Sequence, residues 1–397
     1  MKVLHVIPSI SERSGGPGQA IIPMCRSLGA QGVEVLLATT DDNLPNGSEP
    51  VRETVTDYKN LPVIFFPAQL GASFKYSRPF AKWLYGNVAN YDLVHVHAVF
   101  NHACIAAARA CRRHDVPYIV RPLGTLDPWS MKQKSLRKKV FWQGGVKAML
   151  SGAAAIHYTA KAEQTATEQS LRLNHGTVVP LGIDLQPGKL VSRKKLTHKL
   201  PSLGERPYVL VLSRLLPSKG IDVLLDAFLS LVKESDVAQW SLVLAGEGPA
   251  DYVAGLKRIV ATADASEQVL FAGWLEGEEK EAALSNASLL ALPSYHENFG
   301  LCVMEALAFG VPVLVSPQVS LAAEIEAAGA GWVAEIEKAA LQSALNAAFS
   351  SEEERMRRGA QGRALAAKFD WSVIAARLTD LYSLILERPN VSVVNEV

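Results

Sequence analysis

The chain has 397 residues, 49% of them hydrophobic and 20% charged, with a formal net charge of +1. That length suggests two or three domains with ample core. The balanced charge argues against a nucleic-acid partner, and no apolar run reaches the roughly 18 residues of a membrane span.

Four scattered cysteines (25, 104, 111 and 302) include no CxxC pair, which fits a reducing compartment and argues against structural zinc. Met1-Lys2 leads directly into a strand without a signal peptide. A cytoplasmic location is the expectation.

Lys2 to Pro8 reads as a first parallel strand, Ser9 to Gly18 as a loop, Gln19 to Gly29 as a helix and Gly32 to Thr40 as a second strand. This β-α-β opening predicts a doubly wound sheet with ligand at the strand C-terminal ends. Gly15, Gly16 and Gly18 do not form G-x-G-x-x-G, which weakens a dinucleotide reading. A glycine loop at a helix N-terminus still suits a phosphate. Asp41 to Leu61 is polar and reads as loop. Strands follow at Val63–Phe66 and Asp92–Ala98, the second carrying His95 and His97. His97 falls where the strand ends, and a neutral imidazole there can meet a sugar hydroxyl or an acceptor. His95 reads as core, and His102 is open between the two.

Asn101 to His114 is a small-residue helix with Cys104 and Cys111 on one face. The strand Pro117–Arg121 leads into Pro122–Trp129 (PLGTLDPW), a Gly/Pro-broken loop that can face a cleft. Lys132 to Lys147 interleaves Lys132, Lys134, Arg137, Lys138, Lys139 and Lys147 with Leu136, Val140, Phe141 and Trp142. A basic amphipathic helix of this kind can lie on an anionic membrane; a solvated helix with one buried face has the same pattern. Further strands are expected at Ala153–Tyr158 and Gly176–Pro180. Residues 186–206, with Pro, Gly and the run Arg193-Lys194-Lys195, read as a linker. The first domain is then 1–185 and the second 207–370.

Pro207 to Ser213 restarts the β-α-β pattern. Arg214 and Lys219 follow, two cations between a strand end and a helix, well placed for a diphosphate. The strand Ser241–Ala245 ends in Gly246-Glu247-Gly248-Pro249, where Gly248 can let backbone approach a ligand. The strand Val269–Ala272 runs into Gly273-Trp274-Leu275. Then comes Pro293 to Val313, PSYHENFGLCVMEALAFGVPV. It predicts a loop over Tyr295–Gly300, a helix over Leu301–Phe309 and a strand from Val311. Amides of Phe299, Gly300 and Leu301 at that helix N-terminus make an anion site. Glu297 sits in front of it and Glu305 beside it. A diphosphate between a sugar and a ribose matches that arrangement, which points to a nucleotide-sugar.

Glu297-Asn298-Phe299-Gly300 with Glu305-Ala306 resembles the E-x7-E signature of retaining GT-B glycosyltransferases of family 4. The glycine loop, Arg214, Lys219, Glu297 and Glu305 occur in the family's order. The resemblance covers nearly the whole chain and is weaker in the first domain. It implies two Rossmann-like doubly wound parallel-sheet domains facing a cleft. It also implies a helix from 371 to 388 that packs back on the first, acceptor-binding domain.

By the same resemblance, Gly15 and Gly16 close on the donor diphosphate, and Glu297 and His97 contact the donor sugar. Glu305 holds the ribose, and Trp274 and Leu275 border the base. Asn298 to Leu301 line the nucleotide. Gly124, Asp127 and Trp129 lie on the acceptor side, in a segment similar to that of family 4 polysaccharide enzymes. The donor is expected to be a nucleoside-diphosphate sugar. UDP-glucose comes first on family frequency, with GDP-mannose and other UDP-sugars open. The acceptor is a growing glycan or a lipid-linked one.

The chain contains no P-loop and no D-x-D triplet, so an NTPase and a metal-held donor are both disfavoured. No cofactor and no metal are expected. A nucleotide-sugar epimerase of the same fold and a non-catalytic sugar-nucleotide-binding protein are the alternatives.

Overall fold

The structure, a computed structural model, describes residues 1–11, 16–42, 44, 51–70, 74–132, 135–185, 191–232 and 237–387. The chain forms two compact units, one of residues 1–182 with 369–397, the other of residues 183–368.

The first unit holds β1 (Lys2–Val6), β2 (Glu34–Thr40), β3 (Val55–Asp57), β4 (Pro62–Phe66), β5 (Leu93–His97), β6 (Tyr118–Arg121), β7 (Ala155–Tyr158) and β8 (Gly176–Val178). Their order in the sheet is β3-β4-β2-β1-β5-β6-β7-β8. All neighbours are parallel except β3, which runs antiparallel to β4. The central strands are short apolar runs, and every residue of β5, β6 and β7 is buried, as helix-covered parallel sheets require.

Three differences from the sequence reading stand out. The polar stretch Asp41–Leu61, expected as loop, contains β3; this edge strand is largely exposed and lacks an apolar run. The first helix begins at Gly16, so Gly16 and Gly18 lie inside it, while Gly15 lies outside the described residues. The basic segment expected as one helix is divided. A helix at Ser135–Phe141 passes through a π-helical turn, Trp142–Val146, into Lys147–Ser151. Gly145 breaks the helical backbone there, with φ 152°.

The C-terminal helix, Trp371–Glu387, belongs to the first unit. Tyr382 bonds His95 at 2.7 Å, Arg377 donates to the Val178 carbonyl at 3.2 Å, and the Trp371 indole covers Gly182.

The second unit holds β9 (Tyr208–Leu212), β10 (Ser241–Ala245), β11 (Val269–Gly273), β12 (Leu289–Leu292), β13 (Val313–Val315) and β14 (Gly331–Val333). They form an all-parallel sheet in the order β11-β10-β9-β12-β13-β14. The chain leaves β9 toward one edge, then returns to lay β12 on its other side. Strand order therefore reverses between β9 and β12, and a crevice opens outside their C-terminal ends.

Residues 186–190 of the expected linker lie outside the described residues. The rest belongs to the second unit. It forms a helix at Lys194–Lys199, and several of its basic side chains have specific partners. Arg193 donates to the Gly204 carbonyl at 2.9 Å and stacks on Tyr208, and Lys199 reaches the Trp274 carbonyl at 3.0 Å and Glu279 at 2.8 Å.

Candidate active site

In the second unit, the loops after β9 and β12 meet at the point where strand order reverses. The first carries Arg214 and Lys219; the second carries Glu297. Backbone and serine bonds lace them together. Tyr295 N–H donates to the Ser218 carbonyl at 2.9 Å, and the Ser294 hydroxyl donates to Ser218 at 3.1 Å and His296 at 2.8 Å. The Glu297 carbonyl is held in turn by the Ser320 N–H and hydroxyl, at 3.2 and 3.1 Å. The Lys219 ammonium donates directly to Glu297 Oε2, and these side chains are only 12% and 21% exposed. Arg214 is exposed and makes no side-chain bond among the described residues.

Gly300 caps the helix Leu301–Phe309 in the left-handed region, at φ 74°. A side chain there is strained, so glycine lets the loop turn into the helix. Glu305 lies in the second turn, and Lys280, from the helix Gly277–Ser285, donates to its Oε1 at 2.7 Å. Cys302 lies between the two ion pairs. Desolvation, reinforced by Glu297 and Glu305, pushes its thiol up to about 12, against the pull of Lys219 and Lys280, so it is an inert thiol there.

Several predicted residues act through backbone or packing. Phe299 and Leu275 are 2% and 4% exposed, so their side chains are core and only their main chains can face a ligand. A Cβ on Gly248 would stand 1.9 Å from the Leu215 carbonyl. Glycine is needed there for the 246–249 loop to pack on the Arg214 loop. Trp274 is partly buried and its indole N–H donates to Glu276 at 3.2 Å. Asn298 and Leu301 are partly exposed beside Glu297 and Gly300. Lys280 was not foreseen; its pairing joins residues 25 apart through the fold.

In the first unit the strand order reverses between β1 and β5. His97 ends β5, yet it is fully buried rather than presented to a ligand. It stacks on His5, and His5 Nδ1 and His97 Nε2 are 3.0 Å apart. The neighbouring bonds fix a direction. His157 Nε2 lies 2.7 Å from the Val179 carbonyl and must donate to it, so His157 Nδ1 accepts from His95 Nε2 at 3.2 Å. His95 Nδ1 therefore accepts from the Tyr382 hydroxyl.

All four imidazoles are held neutral by burial. His5 and His157 lie at about 3, with the Arg121 charge adding to the effect, and His95 and His97 lie well below the ordinary value. His5, His95 and His97 each place a ring nitrogen within 4.8 Å of the others, a spacing a metal ion can use. Both His95 nitrogens are already engaged, however, and the buried Arg121 charge lies nearby, so the cluster is built as a hydrogen-bond chain rather than a cation site. His102 sits at a helix start, accepting from Ser77 N–H at 3.3 Å.

Gly124 is buried, and its N–H is already engaged, donating to Glu163 at 2.6 Å. Asp127 accepts from Trp129 N–H at 2.8 Å, and Trp129 is 41% exposed.

Comparison with known proteins assigns each unit. Residues 15–182 match the model of the glycosyl transferase 4-like domain, and residues 192–365 match that of glycosyl transferases group 1. Sucrose-phosphate synthase from Thermosynechococcus elongatus superposes with a TM-score of 0.75 at 20% identity, over 97% of this chain and 99% of that one. HepE of Anabaena, solved with UDP and glucose, superposes at 0.74 and 22% identity, over 97% and 100%. The two matches follow one another along the chain, one to each unit, and the fold is that of GT-B glycosyltransferase structures.

Among curated relatives, a GDP-mannose-dependent phosphatidylinositol monomannoside mannosyltransferase of Mycobacterium tuberculosis is 30% identical over 45% of this chain and 48% of its own length. The D-inositol 3-phosphate glycosyltransferase of Nocardia farcinica is 31% identical over 53% of this chain and 47% of its own. The chain thus spans about half the length of these relatives. A GDP-mannose:cellobiosyl-diphosphopolyprenol alpha-mannosyltransferase of Xanthomonas oryzae pv. oryzae is 23% identical over 98% of this chain and 99% of its own.

Proposed function

We propose that this protein is a retaining, metal-independent glycosyltransferase that moves a hexose from a nucleoside-diphosphate sugar to a glycan or lipid-linked glycan. The observation that carries this is the meeting of Arg214, Lys219 and Glu297 where β9 and β12 diverge, with Glu305 on the adjoining helix. Arg214, Lys219 and the helix amides neutralise the diphosphate as charge develops on it. Binding of that diphosphate competes with Glu297 for the Lys219 ammonium and turns the carboxylate toward the sugar hydroxyls. Glu305 accepts from the ribose diol. The acceptor hydroxyl attacks the face that the diphosphate leaves, and the departing phosphate takes its proton.

UDP-glucose is the first donor to test. The full-length Xanthomonas relative acts with GDP-mannose, which makes that nucleotide-sugar the second. Transfer should proceed without added metal, and NMR of the product should show the anomeric configuration of the donor. An inverted product removes the retaining assignment.

A lipid-linked acceptor fits the surface of the first unit. Leu136 and Val140, one turn apart, are 80% and 72% exposed, beside exposed Trp129, Lys132 and Lys139. Phe141 and Trp142 instead pack on the core, and Lys138 turns inward to Ser130. We expect sedimentation with anionic vesicles, weakened about tenfold or more by Leu136→Glu with Val140→Glu, since apolar burial and charge both drive such binding. Equal sedimentation of this variant leaves no membrane role for the helix. Among the described residues no helix is long and apolar enough to cross a membrane; peripheral attachment at the cytoplasmic face is the location we propose.

A further inference from the structure

We infer that Lys280 is a positioning residue for the ribose of the donor, acting with Glu305 as a mixed acceptor–donor clamp. This rests on the nucleotide-sugar reading above and extends it to a residue outside the E-x7-E signature.

The geometry is specific. Lys280 rises from the first turn of the helix Gly277–Ser285, directly after the Trp274-Leu275 loop, and its Nζ lies 2.7 Å from Glu305 Oε1. The two side chains are 22% and 28% exposed, sheltered more than an ordinary surface pair. Among the described residues, Glu305 Oε2 has no partner, and the Lys280 ammonium bonds to Glu305 alone. One carboxylate oxygen is thus anchored and the other is open.

A ribose hydroxyl both donates and accepts, whereas a carboxylate only accepts. Glu305 alone satisfies the hydroxyl protons and leaves the hydroxyl oxygens without a donor. An ammonium one hydrogen bond away has two further N–H groups to give them. Lys280 also offsets the Glu305 charge, which otherwise repels a donor diphosphate held at the N-terminus of the same short helix. The helix of Lys280 is itself fastened, because Lys199 bonds both the Trp274 carbonyl and Glu279, at 3.0 and 2.8 Å. The ammonium is therefore presented from a braced element.

The test is calorimetric binding of UDP and GDP, each beside its 2′-deoxy and 3′-deoxy counterpart, to the full chain and to Lys280→Met, Lys280→Arg and Glu305→Gln. The wild type should prefer the ribonucleotide about tenfold or more, the scale of a hydrogen bond to a charged group. Lys280→Met should reduce that preference to within about threefold, and Lys280→Arg should restore most of it. A pair that merely ties two helices together shifts all ligands alike and leaves the ratio unchanged. An unchanged ratio in Lys280→Met, with a collapsed one in Glu305→Gln, overturns the role of Lys280 and spares the nucleotide reading. A ratio unchanged in Glu305→Gln as well, or no binding of either nucleotide to the wild type, overturns both.

Discussion

Arg214→Ala is expected to lower kcat/KM about a hundredfold, most of it in kcat. Arg214 is an exposed guanidinium at the end of β9, without a protein partner among the described residues. It pays nothing to leave an ion pair when a diphosphate arrives. Its planar fork can hold two phosphate oxygens at once, and the leaving diphosphate gains charge in the transition state, so the contact strengthens as the bond breaks. Loss of one such donor typically costs a hundredfold to a thousandfold. Lys219 differs, because it must first part from Glu297. The check is steady-state kinetics with the preferred donor. Turnover of Arg214→Ala within about threefold of wild type removes Arg214 from the site.

The second large effect is acid instability of the first unit. His5, His95, His97 and His157 are buried together and held neutral, facing Arg121, Tyr382 and Cys25, with Glu163 and Arg377 further out. In the unfolded chain each imidazole takes up a proton near pH 6.5; in the fold His5 and His157 do so only near 3. Between those values the unfolded state binds more protons. Stability is therefore complete above about pH 6.5 and falls as pH drops toward 3. One such imidazole accounts for about 4 kcal/mol across that window, at about 1.4 kcal/mol per unit. Glu163 works in the opposite sense, since burial raises it, but it is one group against four. Urea midpoints at pH 7, 5.5 and 4.5 should fall steeply, and a flat profile contradicts a neutral histidine chain.

What the sequence revealed follows from which forces are local. Strands such as Val209–Leu212 and Leu289–Leu292 are continuous apolar runs, and cations or carboxylates just beyond them fall at strand ends by arithmetic alone. That is why Arg214, Lys219 and Glu297 were legible. The polar edge strand Val55–Asp57 has no such run and was not. The fate of His97 depends on what packs around it, His5 from β1 and His95, which is itself held by Tyr382 from far along the chain. No spacing rule carries that information. Gly124 was placed correctly on a strand-end loop, but a buried Glu163 claims its amide. Lys280 was missed because its pairing with Glu305 exists only once the two helices pack. The basic run near Arg193 shows the converse, since a linker composition concealed side chains with specific partners.

The most direct measurement is the thermal stability of the wild-type chain with UDP, GDP and ADP and their common hexose conjugates, without metal. A ligand at about 100 times its Kd adds roughly 2.7 kcal/mol, which is several degrees for domains of this size. One nucleoside diphosphate, alone and as its sugar conjugate, should raise the midpoint by that amount while the others do not. No shift with any of them, with or without a divalent ion, contradicts a nucleotide-sugar site at the ends of β9 and β12.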